Sequence, residues 1–258
     1  MDFLSILRSS EKKHIYLIII LCFLHALNGF IYSCIPFIFY DPILTCHNST
    51  SSFLCTQNRA CGNYPYEINY KESFFSITTE FELICDQRFI KPTVQSMILA
   101  GTAISGLTMS FVKVNPYKRM KLMVCCYIIG AITAILSSFL SNLWLVTITI
   151  FISYLFSYVW YANIYTYTSE IFELPLKKIL PSLLTSSYGI GTMIFSLFTL
   201  IIEDWRYLMA FYYGIPTLIF SIIWIIHEKK HGFEPKNLVK TIFSLKCLIY
   251  PLGNRTGS

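Results

Sequence analysis

The placement of charge along the chain limits its fold more than any motif does. No Lys, Arg, Asp or Glu occurs between Lys13 and Asp41, between Lys91 and Lys113, between Lys121 and Glu170, between Lys178 and Glu203, or between Arg206 and Glu228. About 20 apolar residues are needed to cross the hydrocarbon core of a bilayer. Four of these gaps hold one span each, and the gap from Leu122 to Ser169 is long enough for two, folded at Ser137, Ser138, Ser141 and Asn142. The spacing predicts an all-α membrane protein with six transmembrane helices, near residues 14–40, 92–112, 122–140, 143–166, 180–201 and 207–226.

Other classes fit poorly. Barrel strands would alternate apolar and polar residues over about ten positions, whereas these runs are apolar all round. A cleaved signal peptide fails for the first segment, whose apolar run is too long and lacks a small-residue cleavage site. With 55% hydrophobic and 13% charged residues the chain is too apolar for disorder, and its net charge of +6 is scattered rather than gathered on one face, against a nucleic-acid partner. The lipid bilayer is the expected surrounding.

The basic residues give an orientation. With the N-terminus in the cytosol, fifteen Lys and Arg fall on the cytosolic side and five, Arg59, Lys71, Arg88, Lys91 and Arg206, on the other. This agrees with the positive-inside rule. It implies a cytoplasmic segment 1–13, a large extracellular loop 41–91, further helices over 92–227 and a cytoplasmic segment 228–258.

Four of the nine cysteines, Cys46, Cys55, Cys61 and Cys85, lie in the extracellular loop. An oxidising compartment favours disulfides there, with three pairings open. A metal site is the weaker reading, because only His47 accompanies them and no paired Cys-x-x-Cys spacing occurs. Asn48-Ser49-Thr50 is a glycosylation acceptor on the same loop, while Asn254-Arg255-Thr256 falls on the cytosolic side, so only Asn48 is expected to be modified. Cys22, Cys125, Cys126 and Cys247 read as structural.

Catalytic chemistry finds no support. None of His14, His25, His47, His227 and His231 pairs with a Cys, Asp or Glu at nucleophile or metal spacing, and no Gly-rich phosphate loop occurs, so neither an enzyme nor a cofactor is expected. Gly101 and Gly106, like Gly189 and Gly191, sit inside spans, where small residues let helices approach. His25 and Asn28, three apart, share a helix face that is costly against lipid and should point inward. Tyr154, Trp160, Tyr161 and Tyr165 fall on the fourth helix. Aromatic faces can line a cavity for an organic cation, or can simply pack.

A family pattern is carried by Ser76-Ile77-Thr78-Thr79-Glu80-Phe81-Glu82-Leu83-Ile84-Cys85-Asp86, closing a cysteine-bearing loop and followed by Val94-Gln95-Ser96, and by Glu203-Asp204-Trp205-Arg206-Tyr207-Leu208 before the sixth helix. These segments resemble the organic cation and anion transporter family of the major facilitator superfamily. Ser169-Glu170 followed by Lys177-Lys178, and Gly191 in the fifth helix, continue the likeness from the first helix to about residue 228. There are departures. Val114, Asn115, Pro116, Tyr117, Lys118 and Arg119 stand where the family has Asp-Arg-x-Gly-Arg-Arg, the latch of alternating access. Ile150 stands near the family's fourth-helix arginine, and His227-Glu228-Lys229-Lys230 replaces Pro-Glu-Ser-Pro-Arg.

The resemblance implies an N-terminal six-helix bundle of a major facilitator fold, matching one half of a carrier that holds substrate at the midplane between its halves. It implies a plasma-membrane location and a cavity lined by the first, second, fourth and fifth helices. Carried over in register, substrate contacts fall on Tyr161, where the family has tryptophan, on Tyr165, on Thr185, where cation carriers have glutamine, on Tyr188, and on Asn28. The expected activity is transport of a small organic ion or solute, by a fragment or shortened relative of a twelve-span carrier. The rival expectation is a transport-inactive half-carrier that serves as partner or regulatory subunit to a second half.

Overall fold

The computed structural model describes residues 12–48, 51–63, 65–112, 116–172 and 176–230. It is mostly helical. The first helix, α1 (Lys12–Ile38), has 27 residues. At about 1.5 Å per residue it is longer than the hydrocarbon core is thick. Its Leu21, Leu24, Ile31 and Ile38 are buried while Ile19 and Phe23 are exposed, so one face meets the bundle and the other is left for lipid.

The loop that follows contains structure that charge and hydropathy did not foreshadow. Strands β1 (Leu44–Asn48), β2 (Ser51–Cys55) and β3 (Tyr66–Ile68) form an antiparallel sheet in the order β2-β1-β3. Leu44 faces Cys55 in the hairpin and Ile68 on the other side. Helix α2 (Gln57–Asn63) and the single turn α3 (Ile77–Glu80) complete this ectodomain. Disulfides join Cys46 to Cys55 within the hairpin and Cys61 to Cys85, tying α2 to the 3-10 turn Cys85–Gln87. One of the three pairings left open is thus the one formed. Leu44, Cys46, Ala60 and Ile84 form a core of their own. A core that small is of the kind disulfides usually support. Asn48 ends β1, whereas Ser49 and Thr50 of its acceptor motif lie outside the described residues.

Four long helices come next: α4 (Ile90–Phe111), α5 (Pro116–Ser137), α6 (Leu143–Ile171) and α7 (Leu176–Thr199). Local chemistry sets their ends. Pro116 opens α5, where a missing N–H costs nothing. Asn142 caps α6 by accepting from the N–H groups of Trp144 and Leu145. Helix α6 therefore begins at the polar turn expected from sequence and runs to Ile171, about a turn beyond the expected end near 166. Asp204 caps α8 (Trp205–Tyr207), which passes through a π-helical stretch, Leu208–Gly214, into α9 (Ile215–Lys230). Helix α6 packs against both α4 and α5, and α1 packs lengthwise on α7.

Among the described residues, five helical segments are long and apolar enough to cross a membrane: Ile15–Ile38, Cys85–Phe111, Lys118–Ser137, Leu143–Ile171 and Trp205–Ile226. The chain is an integral, multi-pass membrane protein with a disulfide-bonded module between its first two spans. Helix α7 has 24 residues but is less apolar, because Ser182, Thr185, Ser186, Ser187, Thr192 and Ser196 interrupt its hydrocarbon surface.

A half-buried side-chain cluster helps to fasten the module to the bundle. Glu80 Oε2 accepts from Trp205 Nε1 (2.8 Å) and from Arg206 Nε (3.1 Å), and its Oε1 accepts from Arg206 Nη2. The guanidinium also donates to the carbonyls of Ser138, from Nη1, and Leu140, from Nη2. The two segments that carry the family pattern in sequence thus meet through these three side chains, with the α5–α6 turn held beside them.

Candidate binding site

Helix α6 places Tyr154, Tyr158, Tyr161 and Tyr165 at spacings of four, three and four, which puts them on one stripe. On α1, His25 and Tyr32 are two turns apart, and on α7, Thr185 and Tyr188 are neighbours one turn apart. The three stripes converge because α1 and α7 touch through their backbones. A Cβ on Gly29 would lie 2.7 Å from the Tyr188 carbonyl oxygen, and one on Gly191 would collide with the Ala26 carbonyl. Only glycine permits that approach at either position. Gly101 performs the same service between α4 and α6, where an added Cβ would sit 2.8 Å from the Phe151 carbonyl oxygen; Gly189, grouped with these in sequence, faces open space.

His25 stands at the centre of convergence and is fully buried. Its ring stacks over Tyr161 at 5.8 Å between centroids, meets Tyr165 edge-on at 5.5 Å and lies 5.6 Å from Tyr188. Its Nε2 shares a hydrogen bond with the Tyr165 hydroxyl (3.2 Å), which in turn approaches Thr185 Oγ1 at 3.4 Å. Tyr161 contacts Tyr165 at 6.2 Å and Tyr188 at 5.9 Å, and Tyr158 and Tyr32 extend the wall at 5.7 and 6.1 Å. Thr185 is exposed and Tyr161, Tyr165 and Tyr188 are half-buried, so the aromatic cage is open on its α7 side. His25 Nδ1 and the Tyr32 hydroxyl have no hydrogen-bond partner among the described residues.

Of the five residues expected to contact substrate, four, Tyr161, Tyr165, Thr185 and Tyr188, come together around His25. The fifth does not join them. Asn28 is fully buried and donates from Nδ2 to the Ser157 carbonyl (3.1 Å), in the packed layer where Tyr127 donates to the Leu24 carbonyl (2.9 Å). One turn separates His25 from Asn28, yet their partners differ. Trp160 likewise points away from the cage, stacked on Tyr127 at 5.1 Å. Tyr32, Tyr158 and His25 itself were missing from the expected set. The four-three-four spacing on α6 signals Tyr158, while His25 and Tyr32 needed the α1–α7 contact to be placed.

The walls of the cage carry no charge, since α1, α6 and α7 contribute only aromatic rings, hydroxyls and one imidazole. Such a surface can attract a cation through ring faces. It can also donate or accept one hydrogen bond through the imidazole, according to tautomer. The other cysteines, Cys22, Cys34, Cys125 and Cys126, lie buried or half-buried in helices, and Cys247 lies outside the described residues. Among the described residues no group of three or more His, Cys, Asp or Glu could hold a metal ion. No protein-family model matches the chain.

Proposed function

We propose that the protein is a membrane carrier for a small organic ion or solute, working by alternating access. The carrying observation is the His25 cage, a buried imidazole with an unpartnered Nδ1, ringed by Tyr161, Tyr165 and Tyr188 and open through Thr185. Buried polar atoms are normally paired. A substrate bearing a donor or acceptor and an apolar or cationic body would satisfy the imidazole and cover the rings. In this reading α7 is the sixth span, its hydroxyl-bearing face turned to the substrate path rather than to lipid, and the six helices form one bundle of a major facilitator fold. The likeness of the Thr79-Glu80-Phe81 and Asp204-Trp205-Arg206 segments to organic cation and anion carriers supports it. So does a disulfide-bonded module between the first two spans. The module would face outward at the plasma membrane, with both termini cytosolic.

A second reading draws on the exposure of Ser182, Thr185, Ser186 and Ser196 along α7. A row of hydroxyls facing outward from a bundle suits contact with another bundle, so the chain would act as a half-carrier joined to a second subunit, and would transport nothing alone.

Uptake of a panel of radiolabelled organic cations and anions by cells expressing the chain, with surface biotinylation, tests both readings. Saturable uptake that falls at least tenfold in Tyr161→Ala and Tyr188→Ala, at equal surface level, is the result expected of the carrier; tenfold corresponds to about 1.4 kcal/mol of lost interaction. Surface expression without uptake, together with a native-gel mass larger than one chain, is the result expected of the half-carrier.

A further inference from the structure

A second group of unpartnered polar atoms lies in the bundle core, where the last span breaks its own helix. Ile215 N donates to the Ala210 carbonyl, five residues back, and Pro216 follows with no N–H to give. A proline in a helix removes one backbone bond and crowds the carbonyl four residues before it, here that of Tyr212. The π-helical stretch Leu208–Gly214 is thus the wider winding that this crowding favours. Within a membrane such a break is tolerated where side chains or ordered water supply what the backbone has lost.

The turns that follow carry polar atoms that no side chain satisfies. Thr133, Thr147 and Thr168 each donate to the carbonyl four residues back, the common way for a helix to accommodate a hydroxyl. Thr217 and Ser221, one turn apart on α9, do not. Both are buried, and neither Oγ atom has a hydrogen-bond partner among the described residues. Helix α9 packs on α5 and α1. From α5 comes Tyr127, fully buried beside Asn28 and Thr217, its hydroxyl donating to the Leu24 carbonyl (2.9 Å). From α1 comes Asn28, whose Nδ2 serves the Ser157 carbonyl while its Oδ1 is unpartnered. Three helices therefore bring together an oxygen that only accepts, Asn28 Oδ1, a Tyr127 hydroxyl with accepting capacity left, and a Thr217 hydroxyl free to donate.

We propose that Asn28, Tyr127 and Thr217 bind a resident water molecule beside the Pro216 break. The water donates to Asn28 Oδ1 and to the Tyr127 hydroxyl oxygen and accepts from Thr217 Oγ1; about three bonds are usual for a buried water. The donor set suits a neutral ligand rather than a metal ion, because it holds no charged side chain and an ion without a counter-charge is costly to bury. The water joins α1, α5 and α9 where their side chains do not reach one another directly. This site is distinct from the His25 cage and stands whether or not the chain is a carrier.

Pulsed X-ray radiolysis of the full chain in nanodiscs, read by mass spectrometry, tests this. A bound water yields hydroxyl radicals that oxidise the ring beside it, while radicals formed in bulk solvent do not reach the core. Tyr127 should be oxidised about fivefold faster than Phe195, which is as deeply buried but packed among Phe30 and Phe37. Thr217→Val, close in shape but without the hydroxyl, should lower Tyr127 oxidation about fivefold, and Thr217→Ser should restore it. Thr133→Val, whose hydroxyl serves its own helix, should leave it unchanged. Tyr127 oxidised no faster than Phe195 in the unsubstituted chain, or oxidation unmoved by Thr217→Val, overturns the proposal. Should Thr217→Val loosen the core, Phe195 oxidation would rise as well, and the unsubstituted chain together with Thr217→Ser then decides. Cellular uptake, which tests the carrier reading, plays no part in this measurement.

Discussion

A buried imidazole offers either nitrogen as donor or acceptor, and the neighbours decide which role is left over. At His25 one nitrogen is engaged by Tyr165 and the other has no hydrogen-bond partner among the described residues. The sequence placed this histidine on an inward face but could not rank it above Asn28, because helical spacing fixes a face and not the partner across it. Spacing put Tyr161 and Tyr165 one turn apart on a strongly apolar helix, where they could line a cavity or simply pack, and only the family resemblance carried them to a substrate site. Asp204 supports a prediction of its own. Burial raises its pKa above the unfolded value while the Arg206 N–H and charge pull it down and Glu80 adds to the rise. The folded chain therefore binds this proton more tightly than the unfolded one. Its contribution opposes folding above the folded pKa and fades as pH falls through it. Asp204→Asn keeps a cap acceptor while removing the charge. It should unfold at an equal or higher temperature than the parent near pH 7, with the difference closing in acid; a lower unfolding temperature for the variant at pH 7, measured in detergent, would contradict this.

The long helices could be read from gaps between charges, because a span must exclude ionic groups whatever its other residues are. The sheet of the ectodomain could not, since its strands are three to five residues long and are held in place by Cys46–Cys55 and Cys61–Cys85, whose pairing the sequence left open. Helix α7 was legible as a helix and less so as a span, for its hydroxyl groups lower its hydropathy in just the region that meets the cage. Its contact with α1 gives a sharp test. Gly191→Leu has no room beside the Ala26 carbonyl, so α1 and α7 must separate, at a cost of about 1–3 kcal/mol or more. Gly189→Leu, facing open space, should cost little. Thermal unfolding of the two variants side by side should show a large loss for the first alone, and equal losses would refute the close contact.

At the scale of the whole molecule, the bundle core reaches into the end of the ectodomain through Ile77 and Leu83, a smaller core of Leu44, Cys46, Ala60 and Ile84 lies apart, and Glu80, Trp205 and Arg206 tie α3 to the bundle. Both members of this ion pair are largely buried, at 17% side-chain exposure for Glu80 and 21% for Arg206. Removing one partner strands the other, and Glu80→Ala should destabilise the protein by about 3 kcal/mol. Double substitution with Arg206→Met should recover part of the loss, measured by unfolding of the purified chain. Orientation has an equally direct check. With the ectodomain outside, Asn48 should carry a glycan removable by peptide-N-glycosidase and absent in Asn48→Gln, while Asn254→Gln should not change the gel mobility; the reverse pattern would invert the topology.

The Glu80 clasp also makes the sheet a passenger. Because the guanidinium grips the α5–α6 turn as well as the ectodomain, any tilt of those helix ends must carry the sheet with it. A fluorophore on the exposed Leu54 of β2 would then act as a pointer mounted outside the membrane, its swing reporting the angle of helices that no water-soluble probe can reach.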